Sequence, residues 1–479
     1  MQRVPSCQPL PLHSAAATRA LEAALATTLA PHALMQRAGL ATARLALAIA
    51  PHARNYWIAC GPGNNGGDGL EAAMHLQQWG KTPLVSWLGT PATAPADARA
   101  SHARAVAAGV RFVDAPPADC DICIDALLGT GASRPPEGQL AGWIAHINTL
   151  GVPVLAVDLP SGLNADTGAT LGPCVRASHT LSLLTLKPGL YTAQGRDQTG
   201  NIWYEPLGAD VMSTEPQASL GGTPAAAPRR HATHKGSYGD VAVIGGAPGM
   251  SGAALLAASA ALHHGAGRVY VGLLDEGGMT VDPTHPELMF RAPAALDVTV
   301  LTVVAGCGGG PAMAAQLPRL LSSAPRLVLD ADALNSIAND SQLAALLRTR
   351  SARQRQTVLT PHPLEAARLL ACTTAAVQAD RLAAAQQLAQ QFSCSVVLKG
   401  SGSVVAAPDR PPLINPTGNA RLATAGTGDV LAGLIGARLA QGESAFEAAC
   451  AAVWLHGRAA DTWPQDRALT AGALARAIN

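Results

Sequence analysis

NYWIACGPGNNGGDGLEAAMHLQQWG (55–80) is the stretch that decides the fold. The apolar run Asn55–Cys60 predicts a strand, Gly61–Gly69 a glycine loop, and Gly69–Trp79 has helical spacing. The pattern continues outward. Pro83–Leu88 reads as a strand and Ala96–Ala108 as a helix. Ile122–Ala126 and Val152–Val157 read as short apolar strands ending on Asp or a glycine turn. Such alternation predicts a parallel sheet covered on both faces. Upstream, residues 14–50 read as Ala-rich helix broken at Pro31 and Gly39.

Around 211–235 the texture changes. STEPQASLGGTPAAAP (213–228) is followed by Arg229, Arg230, His231, His234 and Lys235, which predicts a linker. Alternation then restarts with strands at Asp240–Ile244, Arg268–Leu273, Val298–Ala305, Arg326–Leu329, Thr357–Leu359 and Ser395–Leu398, and a helix at Gly252–His264. Two α/β domains are expected, 1–212 and 235–479, joined by the linker 213–234.

The chain of 479 residues is long enough for sizeable cores. Its 48% hydrophobic content excludes disorder, and its 3% aromatic content requires packing by small side chains. With 33 basic and 32 acidic residues there is no field to attract nucleic acid or an anionic membrane. No strongly apolar run of membrane-spanning length is present, nor a secretory signal. Nine scattered Cys form no disulfide framework. Cys120 and Cys123 make one CxxC without a second pair, and read as a buried strand rather than a metal site. Reduced thiols point to the cytoplasm.

Glycines after a strand and before a helix let backbone N–H groups approach a phosphate. Gly61, Gly63 and Gly66 match GxGxxG, but SWLGT (86–90) lacks the acid that a dinucleotide oxidoreductase places about 20 residues on. Gly80–Lys81–Thr82 is no P-loop, since His75 stands where Gly is needed. Strand C-termini share one rim of a parallel sheet. Loops 61–69, 125–135 and 158–162 therefore converge, bringing Asn64, Asn65, Asp68, Asp125, Asp158 and Ser161 together. Oxygen donors of this kind suit a hard cation.

The second half has its own loops: GGAPGM (245–250), AGCGGGP (305–311), LDADALN (329–335), LTPHPLEA (359–366) with His362 between two prolines, and VLKGSGS (397–403), a phosphate clamp. AGTGD (425–429) opens a helix with small-residue spacing. Its glycines free N–H groups to hold a developing anion, and Asp429 beside them suits taking a proton from a hydroxyl while phosphoryl arrives. The structural alternative makes Asp429 a helix N-cap.

These motifs carry a resemblance over nearly the whole chain. GPGNNGGDG, DALLGTG (125–131) and VDLPSG (157–162) resemble the epimerase domain of bifunctional NAD(P)H-hydrate repair enzymes. HKGSYGDVAVIGG (234–246), SGAALLAASAALHHGAG (251–267), PHP-E (361–365), LKGSGS (398–403) and ATAGTGDVLAG (423–433) resemble their ADP-dependent dehydratase domain. The resemblance implies a Rossmann-like parallel-sheet domain followed by a ribokinase-like α/β domain. It implies that the first interconverts R and S hydrates of NADH and NADPH. The second would phosphorylate the S hydroxyl with ADP and eliminate phosphate, giving NAD(P)H and AMP.

By position, the resemblance assigns hydrate binding to Asn64, Asn65, Gly66, Gly67, Asp68, Gly129, Thr130, Gly131, Ala132, Ser133, Arg134 and Pro135. Asp158 is expected to do acid–base work at the nicotinamide end. Asn65, Asp125 and Ser161 are expected to hold K+. Ala253, Gly310, His362 and Asp429 would line the second hydrate site. Lys399, Gly400, Ser401, Gly402, Ser403 and Gly428 would hold the nucleotide, with Mg2+. The sequence departs from the family pattern at Leu364, usually Gly or Lys, and at Cys307–Gly309, usually Pro-Gly-Leu. A homo-oligomer is expected, with NAD(P)H-hydrate and ADP as the small-molecule partners. The competing reading is a ribokinase-like vitamin kinase fused to a non-catalytic nucleotide-binding domain.

Overall fold

Short apolar runs, buried on both faces, alternate with helices and build two separate sheets. The computed structural model describes residues 1–132, 134–170, 172–211, 214–225, 231–275 and 278–478. Ser133, Arg229 and Arg230 lie outside the described residues. The chain divides into two units, Met1–Pro5 with Pro11–Ala218, and Ser6–Leu10 with Ser219–Asn479.

The first unit contains one sheet. In spatial order its strands begin at Gln2, Asn201, His179, Val154, Ile122, Asn55, Thr82 and Arg111. All run parallel except Gln2–Arg3, which pairs antiparallel with Trp203–Tyr204. Alternate residues face opposite ways. Tyr56, Ile58, Ile122 and Ile124 pack with Leu45, Leu70 and Leu76 of the helices Ala33–Ile49 and Asn64–Gln78. Trp57, Ala59 and Cys123 pack with Trp143, Ile144 and Ile147 of the helix Gly138–Ile147. Cys120 belongs to the second cluster, so both CxxC thiols are buried against aromatic and aliphatic side chains. Burial pushes both upward, Cys120 to about 11.

Two expectations need correction. The glycine loop ends at Gly63, and Asn64 through Gly69 already form the first turns of a helix. Glycine is needed there for close approach rather than for an open loop: a Cβ on Gly66 would stand 2.0 Å from the Gly61 carbonyl oxygen. Gly39 does not break its helix either. It lets the helix Ala33–Ile49 lie against the next one, where a Cβ would meet that of Glu71 at 2.3 Å.

In the second unit, strands beginning at Met289, Arg268, Asp240, Thr302, Arg326, Gln356 and Ser395 lie side by side and parallel. Val404–Ala407 and Arg410–Ile414 then continue the sheet antiparallel. Within the stretch read as linker, Ser219 and Leu220 pair parallel with Leu413 and Ile414. The early segment belongs to the same unit: Trp454 Nε1 donates to the Ser6 carbonyl at 3.0 Å. The helices Ser251–His263, Thr427–Ala440 and Ala445–Asp461 share the core over one face. Gly433 sets how close the first two come, since a Cβ there would lie 2.0 Å from the Ala257 carbonyl oxygen. Among the described residues, no helix is long and apolar enough to cross a membrane.

Candidate active sites

The first site lies at the C-terminal ends of the parallel strands Asn55–Cys60, Ile122–Ala126 and Val154–Val157. Gly63 caps the Asn64 helix without a side chain, so no side chain occupies the first N–H groups, the kind of helix start that can receive an anion. Asp125 is wholly buried. It accepts from Ser161 N at 2.8 Å, Ser161 Oγ at 2.6 Å and Leu127 N at 3.2 Å. Burial lifts its carboxyl to about 6 against the pull of those bonds. Ser161 Oγ also accepts from Leu128 N at 2.9 Å. Asn65 stands against the same loop, since a Cβ on Gly129 would lie 3.3 Å from Asn65 Cγ. The buried Nδ2 of Asn65 has no hydrogen-bond partner among the described residues.

Asp158 adopts a left-handed backbone at φ 67°, a strained choice for a residue with a side chain. That conformation turns its carboxylate onto Lys187 Nζ, with which it forms a close ion pair, and toward Leu183 N at 3.3 Å. Lys187 is fully buried and also donates to the Leu183 carbonyl at 2.7 Å. Sequence reasoning missed it: a single Lys in LLTLKPGL (183–190) was the available signal. Asp68 and Glu22 carry raised carboxyls through burial first and the Asp158 charge next. Asp68 and Asp158, more than 80 residues apart, are thus electrostatically coupled. In the 129–135 loop, the Thr130 carbonyl accepts from Arg19 at 3.2 Å, while Gly131, Arg134 and Pro135 are exposed. Ala132 N donates to the Gly129 carbonyl at 3.1 Å and closes the turn.

The second site gathers the loops that follow five parallel strands. Lys399 Nζ bonds Asp330 at 2.6 Å and lies 4.0 Å from Glu365. Burial opposes its charge, but Asp330 and Glu365 more than offset that and hold it above its ordinary value. The start of the helix Thr427–Ala440 reaches the same ammonium, since a Cβ on Gly428 would stand 3.4 Å from Nζ. Gly400 and Gly402 both have positive φ, and the turn they make rests on the buried Arg381, which bonds the Leu398 and Lys399 carbonyls at 3.2 Å each. Ser401 and Ser403 belong to that turn, where Ser403 Oγ bonds the Gly400 carbonyl at 3.2 Å.

Asp429 sits in the first turn of its helix, whose N-cap is Gly426, and no side chain caps that end. The capping alternative therefore fails. Burial first, and then Asp330, raise its carboxyl to about 6, while the Cys307 thiol and Lys399 pull the other way. Gly310 donates its N–H to Asp332 at 2.8 Å, and Gly308 lies against Ala253, where a Cβ would be 2.9 Å away. His362 caps the helix Pro363–Leu369, its Nδ1 accepting from Leu364 N at 3.1 Å. Its Nε2 lies 3.3 Å from Glu365. Glu365, which sequence reasoning also passed over, is buried and pushed up to about 7 by burial. Behind the loop, neutral His456 bonds the Thr427 carbonyl at 2.9 Å, its pKa lowered by burial to about 4.

Residues 31–189 match the YjeF-related protein N-terminus family, and residues 241–479 the NAD(P)H-hydrate dehydratase family. A bifunctional NAD(P)H-hydrate repair enzyme of Escherichia coli (strain K12) is 37% identical over 92% of this chain and 87% of its own length. The chain belongs to the bifunctional NAD(P)H-hydrate repair enzymes. The corresponding protein of Leishmania braziliensis is 38% identical over 89% of this chain and 84% of its own. An ADP/ATP-dependent NAD(P)H-hydrate dehydratase of Bacillus subtilis, crystallised with ATP and Mg2+, is 30% identical. It covers 52% of this chain and 91% of its own, with a TM-score of 0.45. The family drawn from the motifs is thus the family to which the chain belongs, and the competing vitamin kinase leaves the first unit's match without a role.

Proposed function

We propose that the chain repairs hydrated nicotinamide cofactors in two steps, one in each unit. The first interconverts the R and S hydrates of NADH and NADPH. The second transfers phosphoryl from ADP to the C6 hydroxyl of the S hydrate and releases AMP. Phosphate then leaves C6 as a proton leaves the neighbouring ring carbon, and NAD(P)H is restored.

One observation carries the dehydration half: a carboxyl lifted to about 6 stands at an uncapped helix start beside a lysine that is held charged. Such a carboxylate suits taking the hydroxyl proton near neutral pH. The N–H groups at the helix start and Lys399 hold the transferring phosphoryl group. Lys399 to Ser403 and Gly428 bind ADP, and Mg2+ supplies charge neutralisation on its phosphates. His362, Ala253 and Gly310 face the hydrate. In the first unit the helix start Asn64–Asp68 and the 129–135 loop receive the hydrate's phosphates and ring. Asp158 exchanges the proton, with Lys187 fixing its carboxylate.

Asn65, Asp125 and Ser161 fit K+. Their oxygens are hard donors, and the orphaned buried amide of Asn65 becomes a carbonyl donor when its two indistinguishable ends are exchanged. K+ there would fix the 125–129 loop beneath the substrate. Cytoplasmic location and a homo-oligomeric assembly complete the proposal.

The test is recovery of NADH absorbance from mixed hydrate epimers with K+ and Mg2+, run separately with ADP and ATP. Full recovery with ADP is expected. No recovery from either epimer by folded protein would refute the assignment, and a stable phosphorylated product would favour the kinase.

A further inference from the structure

Arg381 is the first residue of the helix Arg381–Phe392 and is buried. A cation gains nothing there from its helix, whose start carries the positive end of the dipole. Burial also works against the charge and lowers its pKa to about 10, so the guanidinium stays charged in the neutral range. What it holds is the loop after the strand Ser395–Leu398. It donates to the Leu398 and Lys399 carbonyls at 3.2 Å each, and to Gln378 Oε1 at 2.8 Å. Gly400 lies directly on the guanidinium, since a Cβ there would stand 2.9 Å from Nη1, and its φ of 139° favours glycine.

These contacts fix two peptide planes. In a trans peptide the N–H points opposite to the carbonyl. The Leu398 carbonyl faces Arg381, and the N–H on the other side of that plane, from Lys399, donates to the Pro361 carbonyl at 2.9 Å. The Lys399 carbonyl faces Arg381 too, so the Gly400 N–H is turned away from the guanidinium. Gly400 is exposed, and among the described residues its N–H has no acceptor. An exposed N–H in a glycine turn that follows a charged lysine is the kind of donor that takes a phosphate oxygen.

We infer that Arg381 is a positioning residue of the dehydration half, whose guanidinium holds the Lys399–Gly400 peptide so that the Gly400 N–H meets a phosphate of ADP. The inference rests on residues 399–403 being the nucleotide site. Arg381 acts through the loop and forms no bond to the nucleotide.

Arg350 supplies the comparison. It is also buried and also holds carbonyls, those of Leu321 at 2.8 Å and Ala324 at 2.9 Å, with Thr357 Oγ1 at 2.7 Å. Thr357 lies near the start of the strand Gln356–Leu359, whereas the nucleotide loop follows a strand end, so Arg350 serves the opposite rim of the sheet.

The experiment measures ADP affinity by calorimetry, KM and kcat for ADP-dependent NADH recovery from S hydrate, and melting temperature. Lysine keeps the charge but lacks the fork that bonds two carbonyls. Arg381→Lys should weaken ADP roughly tenfold, the scale of one hydrogen bond to a charged group. Its kcat at saturating ADP and KM for S hydrate should stay near wild type, as when uniform binding is lost. Arg350→Lys should lower the melting temperature and leave ADP affinity unchanged. Unchanged ADP affinity in Arg381→Lys, or an equal loss in Arg350→Lys, would overturn the inference and mark Arg381 as a packing residue. Should Arg381→Lys not fold, Gln378→Ala decides. Gln378 is exposed, its loss frees one arm of the fork, and ADP should weaken about threefold. No weakening would then refute the positioning role. Lys399→Gln, measured in parallel, separates the two claims. If it binds ADP as wild type does, the loop is not the nucleotide site; if it loses ADP while Arg381→Lys does not, only the positioning role fails.

Discussion

Asp429 and Asp158 are both strand-end or helix-start acids, yet their surroundings predict opposite costs for the same change. Asp429 is pushed toward its neutral form by burial and Asp330. Its carboxyl is raised in the folded state, so its ionisation works against folding from the ordinary carboxylate range upward, fully above about 6. Asp429→Asn should therefore raise stability at pH 8 by on the order of 1 kcal/mol, a gain that vanishes toward pH 4. The same variant should lose ~10²–10⁴-fold in dehydration. Melting curves at both pH values beside turnover from S hydrate check the pair, and a less stable variant at pH 8 would contradict the electrostatic account. Asp158 is instead bound to a fully buried lysine. Asp158→Asn leaves Lys187 charged without its counter-ion, which costs about 3 kcal/mol. Melting of the first unit should fall accordingly, and an unchanged curve would contradict a stabilising role for the Asp158–Lys187 pair.

The elements were largely legible because their signals are local. Asn55–Cys60, Ile122–Ala126 and Arg268–Leu273 have the predicted bounds, set by apolar runs between turn residues. The strand read as Val298–Ala305 begins only at Thr302. The glycines misled for a physical reason: Gly39 and Gly66 serve contacts with segments distant in sequence, and propensity alone reads them as breaks. The sites show the same limit. Strand-end acids announce themselves, whereas Lys187 and Glu365 matter through partners that only folding supplies. Gly433 offers a direct check on close helix packing. Gly433→Ala forces the helix Thr427–Ala440 away from Ala257, and should cost about 1–3 kcal/mol. Since Gly428 and Asp429 both ride on that helix, ADP affinity and turnover should fall together; unchanged stability would mean the two helices separate freely.

On the scale of the whole molecule, two units with separate sheets and separate acids should perform separable reactions. The sharpest test is complementation starting from pure R hydrate with ADP. Asp158→Asn alone and Asp429→Asn alone should each fail to recover NADH, the first lacking epimerisation and the second dehydration. Mixed together, they should recover it, because the S hydrate made by one protein diffuses to the other. Recovery from R hydrate by Asp158→Asn alone at the wild-type rate, or none from the mixture while Asp158→Asn still repairs pure S hydrate, would contradict the division of labour between the two units.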